Sequence, residues 1–232
     1  MLKTTANAMT DLWTPQILRD DKICGLSFHG LRGDNDDGAT MFAAVEKGLE
    51  LPIPYFSPQL PVGVYDWGKM YIKSAFSLIR DYGYEYVKIT GVSLGGMACL
   101  RAMHWNETET NWPKLQIISV GVVCGKDDKY NYPAYAKHKL KFWHGKNDTT
   151  CRYSSIVTCV SKIQSAGGSP ETDFRDGIGH NAWSFAYNPS EQGNYFEWAF
   201  QDEPKAGLYI DGVWAHESKV VVCDKTIEYR AV

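Results

Sequence analysis

No apolar run in this chain approaches the roughly 18 residues that a membrane-spanning helix needs. There is no C-x-x-C pair and no zinc-type cysteine spacing; Cys24, Cys99, Cys124, Cys151, Cys159 and Cys223 are scattered. Cys24, Cys99, Cys124 and Cys223 lie in apolar stretches, where a free thiol acts as a small hydrophobe. Reduced cysteines are therefore expected, with a Cys151–Cys159 bridge as the alternative. Runs of like charge are absent and the net charge is only -3. Nothing favours nucleic acid or an anionic membrane surface as a partner. The N-terminus lacks a basic start followed by an apolar stretch, so no secretory signal and a cytoplasmic location are expected. Internal repeats and low-complexity linkers are also missing. What remains suits a globular protein: 232 residues, 44% of them hydrophobic.

The stretch that stands out is Gly91-Val92-Ser93-Leu94-Gly95-Gly96. An apolar, β-branched run leads in (Tyr84 to Thr90) and a helix-like run leads out (Met97 to Trp105). A serine at a strand-to-helix turn, with glycine two residues before and two after, is the pattern of a nucleophile elbow. The turn is so tight that flanking side chains would collide, and the serine backbone is strained. That strain lifts the hydroxyl clear of the sheet. It also aims the N-terminus of the next helix at whatever the serine attacks.

The rest of the chain alternates strands and helices. Strands are expected at Lys22–Phe28, Leu51–Ser57, Tyr84–Thr90, Leu115–Cys124, Leu140–Trp143 and Glu171–Arg175. Helices are expected at Ala39–Leu49, Tyr65–Tyr82, Met97–Trp105, Tyr153–Gln164 and Ala182–Phe200, the last interrupted near Pro189. In Tyr65–Tyr82, the apolar stripe reads as Trp67, Met70, Tyr71, Ala75, Leu78 and Ile79. Residues 1–20 show no strong period. The alternation predicts an α/β fold, a mostly parallel sheet with helices on both faces. Residues 204–232 differ: Asp211-Gly212 between two β-rich runs signals a hairpin, and a third run follows at Lys219–Cys223. This gives two parts, 1–203 as the catalytic fold and 204–232 as a small β appendage.

A serine hydroxyl needs a base to become a nucleophile, and the base needs a carboxylate to fix its tautomer. His180 follows the last strand in a glycine-bearing loop (Asp176 to Trp183), downstream of the elbow, and is the candidate base. Asp148, at the exit of the strand before it, is the candidate acid. Asp127, Asp128, Asp173 and Asp176 are its rivals, with the Asp127–Asp128 pair the strongest. Stabilising the oxyanion takes two backbone N–H groups. Leu94, next to the serine, is one candidate, and Leu31, after His29-Gly30, is the other. His29, Tyr65, Trp67 and Trp183 are candidates for the pocket wall. For His29 the competing role is a ring that fixes its loop by hydrogen bonds, and His144, in a second His-Gly pair, is read as such a ring. Core packing competes for the other three. Asp34 to Gly38 is acidic but lacks the spacing of a calcium loop, so it reads as a helix cap, and no metal is expected.

With those residues in place, the chain resembles the α/β-hydrolase superfamily. Within it, the likeness is to small single-domain esterases of the phospholipase/carboxylesterase or "predicted peptidase" type, relatives of acyl-protein thioesterases and feruloyl-esterase-like enzymes. The pieces that carry it are FHGLRGDND, YFSPQLP with Trp67 after it, GVSLGG, HGKND and GIGHNAW with its sequel AYNP and YFEWAF. The resemblance implies a triad of Ser93, Asp148 and His180, oxyanion donors at Leu31 and Leu94, and no cofactor. It implies an ester substrate, small or carbohydrate-linked, cleaved through an acyl-enzyme. Thioesterase or peptidase action with the same residues, and a non-catalytic binding protein on this scaffold, are the alternatives. Only about twenty residues precede the His-Gly strand, so a trimmed sheet of about six strands is expected. The appendage lies outside the family pattern; covering a sheet edge, joining a homo-oligomer and anchoring to something larger are its open roles.

Overall fold

The computed structural model describes residues 1–16, 21–31, 41–61, 66–126 and 131–201, residues 66 and 67 through their backbone alone, and the backbone of three short strands beyond. Its main sheet has eight strands: β1 (Leu2–Asn7), β2 (Thr10–Thr14), β3 (Ile23–Phe28), β4 (Tyr55–Pro58), β5 (Tyr86–Val92), β6 (Gln116–Val123), β7 (Lys139–Gly145) and β8 (Glu171–Arg175). Their spatial order is β1-β2-β4-β3-β5-β6-β7-β8. From β4 through β8 all neighbours are parallel. β1 and β2 form an antiparallel hairpin on the β4 edge.

That hairpin corrects the expected six strands. β1 is exposed along nearly its whole length, so it carries no alternation to read. Its order comes from pairing with β2 and from Asn7, whose side chain accepts the Met9 N–H at the turn.

The helices are α1 (Phe42–Glu46), α2 (Asp66–Asp81), α3 (Leu94–Thr108), α4 (Tyr132–Tyr135), α5 (Tyr153–Ser165), α6 (Trp183–Ala186) and α7 (Tyr195–Phe200). They bury two separate cores. Ile72, Ala75, Phe76 and Ile79 of α2 pack on one face of the sheet with residues of α3, α4 and α5. Residues of α1, α6 and α7 pack on the other face, around Trp143, Tyr55 and Trp198. The α2 stripe therefore runs 72-75-76-79, and Met70, expected in it, is 65% exposed. Both stripes have helical spacing, and only contact with the sheet chooses between them. The short α4 was not expected; the Asn131 side chain caps it by accepting the Ala134 N–H.

The two-faced layering sets the position of the site. The chain leaves β3 toward α1 on one face and leaves β5 toward α3 on the other. β3 and β5 are adjacent, so their C-terminal ends flank a crevice where the topology switches direction, the usual ligand position in such sheets.

A second sheet has three strands, β9 (Gly207–Ile210), β10 (Val213–Trp214) and β11 (Ile227–Arg230), in the order β10-β9-β11. β9 and β10 pair antiparallel, with Ile210 opposite Val213 and Tyr209 opposite Trp214; the Asp211-Gly212 pair lies outside the described residues. The third strand is Ile227–Arg230; the run expected at Lys219–Cys223 lies outside the described residues. Among the described residues, no helix is long and apolar enough to cross a membrane. Cys24, Cys99, Cys124 and Cys159 are buried and Cys151 is half-buried, and none of these five is joined in a disulfide.

Candidate active site

β5 ends at Val92 and α3 starts at Leu94, so the whole turn is one residue, Ser93. Its φ of 55° and ψ of -111° place a non-glycine residue in the left-handed half of backbone space. Two glycines make this possible. A Cβ on Gly91 would lie 2.4 Å from the Gly95 carbonyl oxygen. A Cβ on Gly95 would lie 2.2 Å from the Phe28 carbonyl oxygen. The helix thus starts in direct contact with its own strand and with the end of β3.

The Ser93 hydroxyl lies 2.8 Å from His180 Nε2. His180 Nδ1 lies 2.7 Å from Asp148 Oδ2. A carboxylate only accepts, so Nδ1 carries the hydrogen. Nε2 is then the acceptor, toward which Ser93 donates. The Asp148 side chain is fully buried. Its Oδ1 accepts the backbone N–H groups of Thr150 (2.8 Å) and Cys151 (2.9 Å), which fix the carboxylate plane. The structure therefore brings together the serine, histidine and aspartate singled out in the sequence. Of the rival acids, Asp173 pairs with Arg175 and Asp176 with Lys146. Asp127 and Asp128 lie outside the described residues.

Two loops are laced to hold this arrangement. Lys146 N–H donates to the Arg175 carbonyl, Asn147 N–H to the Ile178 carbonyl, and Gly177 N–H to the Asn147 side chain. The glycine-bearing segment before His180 is thus tied to the segment that carries Asp148, and Gly177 adopts a φ of +74° to make the turn.

His144 is the residue sequence reasoning underrated. It is buried, and its Nε2 faces the Cys151 carbonyl at 2.7 Å and Asp148 Oδ2 at 3.3 Å. Both neighbours are acceptors, so Nε2 is a shared donor that touches the carboxylate on which His180 rests. Burial lowers its pKa, opposed by the Cys151 carbonyl and by Asp148. The four-residue spacing of His144 and Asp148 across a strand exit was the available signal.

His29 is also buried. Its Nδ1 donates to the Gly30 carbonyl (2.7 Å), and its Nε2 accepts the Leu60 N–H (2.7 Å). Both ring nitrogens thereby help to shape the loop. A Cβ built on Gly30 would lie 3.8 Å from Ser93 Cβ, so this loop runs beside the serine. Leu31 follows with its side chain 54% exposed. Leu94 opens the fifteen-residue α3, where the first N–H groups lack intrahelical partners. Trp183 stands edge-on against His180, with ring centroids 6.0 Å apart. Tyr65, the Trp67 side chain and the Asp34–Gly38 run lie outside the described residues. Among the described residues, no group of three or more His, Cys, Asp or Glu side chains is arranged to hold a metal ion.

No family model matches the chain, and no curated protein sequence does. Solved structures do. A thermostable esterase superposes with a TM-score of 0.63 at 20% identity, over 83% of this chain and 58% of that one. A truncated carbohydrate esterase from gut microbiota gives 0.65 at 13% identity, over 87% and 94%. An acyl-protein thioesterase 2 from Zea mays gives 0.61 at 13% identity, over 84% and 99%. The chain therefore spans little more than half the length of the thermostable esterase and nearly the full length of the other two. At these identities the likeness shows the fold, which is that of the α/β-hydrolases.

Proposed function

We propose that this α/β-hydrolase-fold protein is a serine hydrolase that cleaves carboxylic esters through an acyl-enzyme. The observation that carries the proposal is the unbroken relay from the Ser93 hydroxyl to His180 to Asp148, at 2.8 and 2.7 Å. It starts from a serine held in a left-handed turn. Ser93 Oγ attacks the ester carbonyl carbon while His180 Nε2 takes the hydroxyl proton. Charge that moves to the carbonyl oxygen is met by the N–H groups of Leu94 and Leu31, the first strengthened by the N-terminus of α3. As the C–O bond breaks, His180 returns the proton to the departing alcohol. A water then attacks the acyl carbon while His180 Nε2 takes its proton; the bond to Ser93 Oγ breaks, the acid leaves and His180 returns the proton to Oγ. Asp148 holds the tautomer and balances the imidazolium charge.

Residues 1–203 form the catalytic unit in this reading and 204–232 an appendage with a sheet of its own. The substrate is a small or carbohydrate-linked ester. The likeness to a carbohydrate esterase supports the second, and the likeness to an acyl-protein thioesterase makes thioester hydrolysis the alternative with the same residues. A panel of p-nitrophenyl esters, acetylated sugars and acyl thioesters, run on the wild type and Ser93→Ala, tests the proposal. The variant keeps its fold by circular dichroism and loses turnover by about 10³-fold or more. A variant that retains a tenth of wild-type turnover contradicts it.

A further inference from the structure

Trp183 belongs to two neighbourhoods. It packs against His180, and it also lines an open cavity of about 650 Å³ between the end of α1 and the segment that runs from α6 to Ser190. The volume is that of a small-molecule pocket, typically about 300–1,000 Å³. Ser93, His180 and Asp148 do not line it, so the cavity adjoins the reacting groups rather than containing them. Its wall is chemically mixed. Ser184 and Ser190 offer hydroxyls, Asn188 an amide, and Trp183 and Tyr187 aromatic rings. Lys47 adds an exposed ammonium, which makes no ion pair among the described residues, and no carboxylate among the described residues lines the space.

Acyl transfer fixes which half of an ester can reach this place. His180 must hand its proton to the leaving oxygen, so the alcohol departs on the imidazole side of Ser93. Trp183 borders both that side, through its contact with His180, and the cavity. A long apolar alcohol placed there would strip water from the ammonium and the hydrogen-bonding side chains without replacing it. A hydroxyl-rich alcohol replaces that water with hydrogen bonds and offers C–H faces to the rings. We infer that this cavity is the alcohol subsite, and that it takes a sugar-type alcohol, with Lys47 favouring one that carries a carboxylate. The inference rests on the ester-hydrolase reading above.

The test compares kcat/KM on an acetylated methyl glucuronide, an acetylated methyl glucoside and octyl acetate, each relative to p-nitrophenyl acetate. In the wild type the glucuronide ester is favoured over the glucoside ester, and both over octyl acetate. Ser184→Trp, which fills the cavity, lowers the glycoside-to-p-nitrophenyl ratio at least tenfold through KM. Lys47→Glu reverses the preference for the glucuronide ester. A wild type that prefers octyl acetate, or ratios that stay within twofold in both variants, overturns the subsite. If no ester is turned over at all, the hydrolase reading fails by itself. The cavity is then read by saturation-transfer NMR with methyl glucuronide. A signal in the wild type that Ser184→Trp abolishes upholds it, and no signal, or an equal one, overturns it.

Discussion

Asp148→Asn changes one oxygen to an amide and should cost nearly all turnover while leaving the fold in place. Four groups surround the native carboxylate: the N–H groups of Thr150 and Cys151 on Oδ1, and His180 Nδ1 and His144 Nε2 on Oδ2. An asparagine has one acceptor oxygen. Placed at Oδ1 it keeps both backbone bonds, and its NH₂ then points at His180 Nδ1. That nitrogen must become an acceptor, which moves the ring hydrogen to Nε2, where it meets Ser93. The base is then blocked by its own hydrogen. Reversing this tautomer lowers kcat on the order of 10⁴, about 5 kcal/mol of barrier, with KM little changed. Placing the oxygen at Oδ2 instead would leave two buried N–H donors facing an NH₂, a cost of about 1–3 kcal/mol each, so the first arrangement prevails. Steady-state hydrolysis of p-nitrophenyl acetate reads the kinetic loss, and a thermal melt confirms folding. A folded variant within tenfold of the wild-type kcat would refute the tautomer argument.

Other substitutions probe the supports. Gly95→Ala drives a methyl group into the Phe28 and His29 carbonyls, at 2.2 and 2.7 Å. It should destabilise by at least the 1–3 kcal/mol typical of overpacking and lower kcat about 100-fold by displacing the loop that carries Leu31, as read by urea denaturation and ester turnover. His144→Leu removes the donor shared by the Cys151 carbonyl and Asp148. A 10- to 100-fold loss in kcat with a shifted pH profile of kcat/KM is expected, and a profile identical to wild type would leave His144 a purely structural role. Stability should also depend on pH. Burial lowers the pKa values of His104, His138 and His144 below the ordinary 6.5. The unfolded chain therefore binds protons first as pH falls, so stability is full above about 6.5 and declines as pH drops through the depressed folded values. Urea midpoints at pH 7.5, 6.0 and 5.0 should fall in that order, and a flat or rising series would contradict the sign.

The elbow was legible because its constraint is local. A one-residue turn between a strand and a helix tolerates no Cβ on either side, and Gly91 and Gly95 mark the two contacts in the sequence itself. His180 and Asp148 could be chosen by chain order and by their places at strand exits, since parallel strands deliver their ends to one edge. The β1–β2 hairpin was not legible: an edge strand exposed on both faces has no pattern, and its partner supplies its order. The buried face of α2 was ambiguous because two overlapping stripes share Ala75 and Ile79, and the sheet decides between them. His144 could be read as a loop-fixing ring, but its approach to the carboxylate depends on how the turn from Gly145 to Cys151 folds back. The cavity beside Trp183 joins segments far apart in the chain and has no sequence signature at all.

The most direct test of the whole account is a fluorophosphonate probe followed by peptide mass spectrometry. The relay from Asp148 through His180 predicts one adduct, on the Ser93 Oγ, and labelling that slows by orders of magnitude in His180→Ala. An unlabelled Ser93 in folded protein, or labelling that proceeds equally fast without the His180 imidazole, would contradict the claim that this serine is an activated nucleophile.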